Sequence, residues 1–126
     1  MAQSAAAVPG APVLYECTLE KRVQNHGWID SPLVIVMDEQ GRATVNDPAI
    51  FYFNKAPLAG VVERDAPRRL IVTWSLEDLS GQSSAISVFR YRASLSRPDL
   101  SIDVTARADT YDNRYFARGT CKKRMK

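Results

Sequence analysis

The sequence predicts an all-β domain: about eight antiparallel strands in a meander, closed into a barrel in preference to a sandwich. Three observations predict it. Apolar residues recur with period two from Val13 onward. Turn-forming residues separate the runs at short intervals. The only two cysteines, Cys17 and Cys121, fall on the apolar faces of the first and last runs.

The first strand is VLYECTL. Val13, Tyr15, Cys17 and Leu19 share one face, and Glu16, Thr18 and Glu20 take the other. PLVIVMD follows at 32–38, then a turn at Glu39-Gln40-Gly41, then RATVND. Gly41 supplies the positive φ that a short hairpin loop requires. NDPAIFYFN interrupts the alternation. Asp47 suits an N-cap and Pro48 the first helical position, so a short helix is expected near 48–54, closed by Asn54 and Pro57. The alternative there is a strand with Phe51 and Phe53 facing inward.

LAGVVERD at 58–65 turns through Ala66-Pro67-Arg68 into RLIVTWSLED, where Leu70, Val72, Trp74 and Leu76 alternate. Ser80-Gly81-Gln82 is the next turn. SSAISVFRYRASLS at 83–96 places Phe89, Tyr91, Ala93 and Leu95 on one face and Arg90, Arg92, Ser94 and Ser96 on the other. Arg97-Pro98-Asp99 leads into LSIDVTARAD, with Leu100, Ile102, Val104 and Ala106 in phase. TYDNRYF at 110–116 contains Asp112 and Asn113, which suit a turn, beside Tyr and Arg, which suit a protein-binding loop. The last strand is FARGTCKK, with Ala117, Gly119 and Cys121 in phase.

Sequential hairpins place neighbouring strands side by side. Closure removes two free edges. It also makes the first and last strands neighbours, so Cys17 and Cys121 would meet across the seam as a disulfide. Two buried free thiols are the alternative. A disulfide implies an oxidising compartment, either a bacterial periplasm or the cell exterior.

The chain is 126 residues and 14.1 kDa, the size of one domain. Residues 1–12 read as a flexible leader, residues 13–122 as the single barrel domain and residues 123–126 as a basic tail. The leader lacks the basic and apolar regions of a signal peptide, and its small residues suit a start left after processing. No apolar run reaches the roughly 20 residues of a membrane span. The formal charge of +3 is uneven. Six of the 17 basic residues lie between Arg114 and Lys126, where there is no acid. That reads as a solvated terminus rather than a nucleic-acid face.

Four short pieces, Tyr15-Glu16-Cys17, Gly27-Trp28-Ile29, Tyr111-Asp112-Asn113 and Gly119-Thr120-Cys121, span most of the domain. In them the chain resembles small exported bacterial β-proteins with Y-x-C on the first strand and G-x-C on the last. The resemblance implies export and brings no activity with it. The architecture is also similar to the lipocalin-like barrels. There the match stops, because their Gly-x-Trp signature belongs on the first strand, and here Gly27-Trp28 follows it with no spacer.

Chemistry is sparse. The one histidine, His26, lies in QNHGWIDS. A triad through it would need Asp30 and Ser31, and no G-x-S-x-G elbow is present. One His and two distant Cys do not make a metal-ligand set. No glycine-rich phosphate loop exists, so no cofactor is expected. Aromatic residues carry more. Tyr15, Phe51, Phe53, Trp74, Phe89 and Tyr91 would point inward, either packing a core or lining an apolar pocket, with Trp28 and the Phe51–Phe53 segment near its mouth. Arg90 and Arg92 fall on the outer, solvated face.

The expected function is therefore a non-enzymatic exported barrel that binds a small apolar molecule or a protein partner. A structural or interaction module with a packed core is the alternative. Less favoured are an enzyme using His26 and weak nucleic-acid binding through the basic tail.

Overall fold

The computed structural model describes residues 12–20, 29, 31–78, 87–108 and 114–125. Among them run eight strands and one helix. The strands are β1 (Val13–Leu19), β2 (Leu33–Met37), β3 (Ala43–Asn46), β4 (Leu58–Asp65), β5 (Arg69–Asp78), β6 (Ser87–Ser96), β7 (Ser101–Ala108) and β8 (Arg114–Met125). The helix, α1 (Pro48–Asn54), lies between β3 and β4. Each strand pairs antiparallel with the next, and β8 pairs with β1, so the sheet is a closed barrel.

Alternation decides the two faces. In β2 the buried residues are Leu33, Ile35 and Met37, with Val34 and Val36 half-exposed between them. In β7 they are Ile102, Val104, Ala106 and Ala108. Inward side chains from seven of the strands and α1 form one apolar core, with Leu58 and Val62 of β4 packed half-buried against it. Its centre holds a Trp74–Tyr91 stack, with ring centroids 5.3 Å apart, and a tilted Phe89–Tyr115 pair at 6.4 Å. Such ring pairs add stabilisation beyond the area they bury.

The β2–β3 hairpin is organised by Asp38. Its Oδ1 accepts from the backbone N–H groups of Gln40 and Arg42, both at 2.8 Å. Gly41 takes φ +80° there, a conformation that side-chain-bearing residues rarely adopt. The β6–β7 turn is held by Arg97, whose Nη1 donates to Asp65 Oδ1 at 2.6 Å and to the Ala66 carbonyl. At β4 the register slips between Val62 and Arg64, leaving Glu63 as the extra residue of a bulge.

NDPAIFYFN folds as the helix, not the strand. Asp47 Oδ1 accepts from the Ile50 N–H at 2.7 Å, Pro48 opens the first turn, and Lys55 closes the helix at φ +65°. Ala49 and Ile50 enter the core, while Phe51 stands 61% exposed. An inward Phe51 is thereby corrected. A helix advances about 100° per residue, so four consecutive apolar residues cannot all face the core.

The C-terminal boundary also moves. Of the residues read as a tail, Lys123, Arg124 and Met125 belong to β8, which pairs with β1 as far as Val13 opposite Met125. Arg124 Nη2 lies 3.3 Å from Glu16 Oε1 on that neighbouring strand.

The seam carries the disulfide. Cys17 and Cys121 are register partners, with S–S 2.03 Å and Cα atoms 3.9 Å apart across 104 residues of sequence.

Candidate binding groove on the outer face

The interior is crowded at the positions expected to hold a ligand. Trp74, Phe89 and Tyr91 point inward as alternation predicts, and none exposes more than 4% of its surface. An interior chamber open to water would expose its lining; these rings belong to one buried apolar cluster that also holds Leu95, Ile102 and Val104. Burial, with the Asp47 carboxylate and the Tyr115 phenol nearby, pushes the Tyr91 hydroxyl far above the ordinary phenol range. It stays neutral at any physiological pH. Trp74 Nε1 is buried without a hydrogen-bond partner.

Other expected residues are dispersed. Trp28, His26, Asp30 and the side chain of Phe53 lie outside the described residues. Ser31 Oγ accepts from the Leu19 N–H at 3.0 Å, tying the segment before β2 to β1. Tyr115 is 8% exposed and part of the core, so it does not present itself to a partner. Among the described residues no three metal-ligating side chains gather.

A broad concavity lies on the outside. A groove of about 800 Å³ runs over strands β4 to β8. Two cross-strand rows of outward side chains build it. One row is Val61, Thr73, Arg92, Thr105 and Phe116, each the register partner of the next. The other is Ser75, Arg90, Arg107 and Arg114, likewise partnered in series. Right-handed twist makes a barrel wall saddle-shaped, and the bulge at Glu63 sharpens it locally.

Among the described residues that line the groove, four guanidinium groups stand with one carboxylate. Glu63 Oε1 stands 3.8 Å from Arg92 Nε. Like charges directly opposite on neighbouring strands destabilise a sheet. Arg90 faces Arg107, and Arg107 faces Arg114. At the rim, Phe116 is 39% exposed, with the Arg118 guanidinium carbon 5.6 Å from its ring centroid. Arg118 is itself held by Asp103 Oδ1 at 2.7 Å.

Sequence reading placed Arg90 and Arg92 outward but left them unconnected. Alternation put Arg107 outward too, and Arg114 fell in the TYDNRYF loop, while Val61 and Phe116 carried no local signal. Only the pairing register brings residues from β4 and β8 onto one surface.

Two smaller hollows are present. One, of about 460 Å³, lies at the turn end between Tyr15, Arg68, Arg97 and Lys123. The other, of about 390 Å³, lies along the seam beside Leu19 and Gly119.

No family model, curated protein or solved structure matches this chain.

Proposed function

We propose that this chain is a non-enzymatic exported binding module that engages a protein partner through its outer groove. The observation that carries the reading is the contrast between the two faces. Stacked rings occupy the barrel interior, while the broad concavity lies outside and is lined by exposed polar, charged and apolar side chains. Specific protein interfaces combine such a concave, Arg- and aromatic-bearing surface with a polar rim. A ligand site inside a barrel needs open volume of roughly 300 Å³ or more. The buried Trp74–Tyr91 stack speaks against one there.

Export is supported by the Cys17–Cys121 bond, since cytosolic thiols are kept reduced. No helix among the described residues is long and apolar enough to cross a membrane. A periplasmic or secreted location fits both observations.

The test is site-specific photo-crosslinking in the source cells. A photo-reactive residue at Thr105, within the groove, is expected to give one discrete protein adduct. The same residue at Gln40, exposed in the β2–β3 turn and outside the groove lining, is expected to give none. Identical products from both positions, or none from Thr105, would overturn the reading. Native mass spectrometry of the purified chain covers the rival: a stoichiometric small apolar molecule would return the function to the interior.

A further inference from the structure

We propose that the hollow at the turn end of the barrel binds a phosphomonoester, its dianionic head held by Arg68, Arg97 and Lys123. The site is separate from the outer groove and does not depend on it.

The inward rows of three strands carry the proposal. Leu70 of β5, Leu95 of β6 and Cys121 of β8 are the last buried residues of their rows. Counting on by two toward this end of the barrel reaches Arg68, Arg97 and Lys123. Three apolar rows that each end in a cation break the local pattern, and such breaks gather at functional sites. Pairing brings the three together. Arg68 and Arg97 meet where β5 begins and β6 ends, the Arg97 N–H donating to the Arg68 carbonyl at 3.1 Å. Lys123 is the register partner of Tyr15, and Arg97 Nε donates to the Tyr15 hydroxyl at 3.5 Å. All four line one hollow of about 460 Å³, within the usual size range of a small-molecule site.

The acids of this end are accounted for. The turns at 38–42, 66–68 and 97–100 are described throughout, and residues 1–11 contain no acid. Asp65 is paired with Arg97, Glu16 with Arg124 and Asp38 with Arg42. Asp99 accepts from the backbone and hydroxyl of Ser101. Glu39 is exposed in the β2–β3 turn and does not line the hollow. Among the described residues no carboxylate pairs with Arg68 or Lys123. Three cations and the Asp65 carboxylate leave a net charge of about +2 around the hollow.

A phosphomonoester answers that balance. It carries nearly two negative charges at neutral pH and presents three strong acceptor oxygens. A carboxylate brings one charge and two oxygens. Asp65, the Ala66 carbonyl and Tyr15 already orient the Arg97 guanidinium, and its Nη2 makes no hydrogen bond among the described residues. A donor fixed before the ligand arrives loses little freedom on binding. Pro67, Pro98 and Leu100 give the organic part of the ester an apolar wall.

The test is an amide NMR titration of the isotope-labelled chain at about pH 7.5, where a phosphomonoester is mostly dianionic. The probes are phenyl phosphate, phenyl sulfate and benzoate, which share a ring and differ in the head. Phenyl phosphate is expected to saturate, with shifts centred on Tyr15, Arg68, Arg97 and Lys123 and none at Thr105 in the outer groove. The two singly charged probes should bind at least about five-fold more weakly. Arg68→Gln and Lys123→Gln should each lower phenyl phosphate affinity at least about five-fold. The control Lys122→Gln removes the same charge from the outer face of β8 and should stay within about two-fold of wild type. All three side chains are exposed, so the variants should keep the wild-type melting temperature.

Flotation with phosphatidylcholine vesicles, with and without phosphatidate, separates two sources of the same head. Flotation with phosphatidate alone, reversed by phenyl phosphate, upholds the site as one for a lipid head. Saturation by phenyl phosphate without flotation upholds it as one for a soluble ester. The proposal is overturned by the absence of saturable phenyl phosphate binding, by equal affinity for phenyl sulfate, by shifts centred on Thr105, or by equal losses in Lys122→Gln and Lys123→Gln.

Discussion

Gly119 lies so close to Thr18 across the barrel seam that a Cβ at position 119 would stand 2.0 Å from the Thr18 carbonyl oxygen. The obstacle is backbone, with Leu19 Cα only 2.9 Å from the same Cβ, so no side-chain rotation relieves it. Gly119→Ala must push β8 off β1. We expect a cost of about 3 kcal/mol, at the upper end of overpacking effects. Gly60→Ala meets the movable Val72 Cγ1 at 2.6 Å and should cost less. Gly41→Ala meets nothing within 4 Å and pays only for its positive φ, about 1 kcal/mol. Urea denaturation of the three variants gives the order. A Gly119→Ala no worse than Gly41→Ala would refute the close approach.

The disulfide two residues along the same seam works through the unfolded chain. It links positions 104 apart, which in the chain-entropy account stabilises by about 4–5 kcal/mol. The double variant Cys17→Ala/Cys121→Ala should lose stability by that order. Reductant should lower the denaturation midpoint of the wild type and leave the variant unchanged. Protein from the source cells, unfolded without reductant, should show no alkylatable thiol.

Acid should loosen the hairpin turns. The backbone N–H of Arg42, then that of Gln40, and the Arg42 charge hold the Asp38 carboxyl below its usual range. The backbone and side chain of Ser101 do the same for Asp99. A lowered folded-state value means the ionised form is the stabilised one. Its contribution is complete above the unfolded carboxylate value of about 4 and is lost as pH falls through the lower folded value. Asp38→Ala should therefore be less stable than wild type at neutral pH, with the gap narrowing below about pH 4. A gap that stays constant down to pH 2 would contradict this role.

Asp47 should matter more than an ordinary cap. It is 7% exposed, and its Oδ1 holds the Ile50 N–H at 2.7 Å. Asp47→Ala is expected to cost about 2 kcal/mol, the upper range for removing an N-cap. Hydrogen exchange should report it locally, with the Ile50 and Phe51 amides exchanging faster while β7 stays protected. Uniform loss of protection across both would argue against a local cap.

Legibility in the sequence followed the range of the cause. Strand alternation is local, so Leu70, Val72, Trp74 and Leu76 could be assigned to one face from their spacing. Caps are local too, and Asp47-Pro48 announced α1. The orientation of Phe51 was not legible, because a run of four apolar residues has no phase until the helix docks. Arg124 and Met125, beyond the FARGTCKK run, looked like a solvated end. Their place in β8 comes from backbone pairing with β1, more than a hundred residues earlier. Tyr115 read as loop because Asp112 and Asn113 precede it, and the core claims it only once Phe89 lies beside it.

What this sequence determined by itself is the all-β class, the number of strands and the side of the sheet that each residue takes. A period of two does not depend on which strand becomes a neighbour. It also pointed to Cys17 and Cys121, because a closed meander must join its ends. What only the tertiary structure decided is register. A cross-strand partner is set by the length and geometry of every turn between the strands, and no single stretch of chain encodes that. Register alone placed Arg90, Arg107 and Arg114 opposite one another, set Gly119 against Thr18, and gathered the residues of the groove on the outer wall.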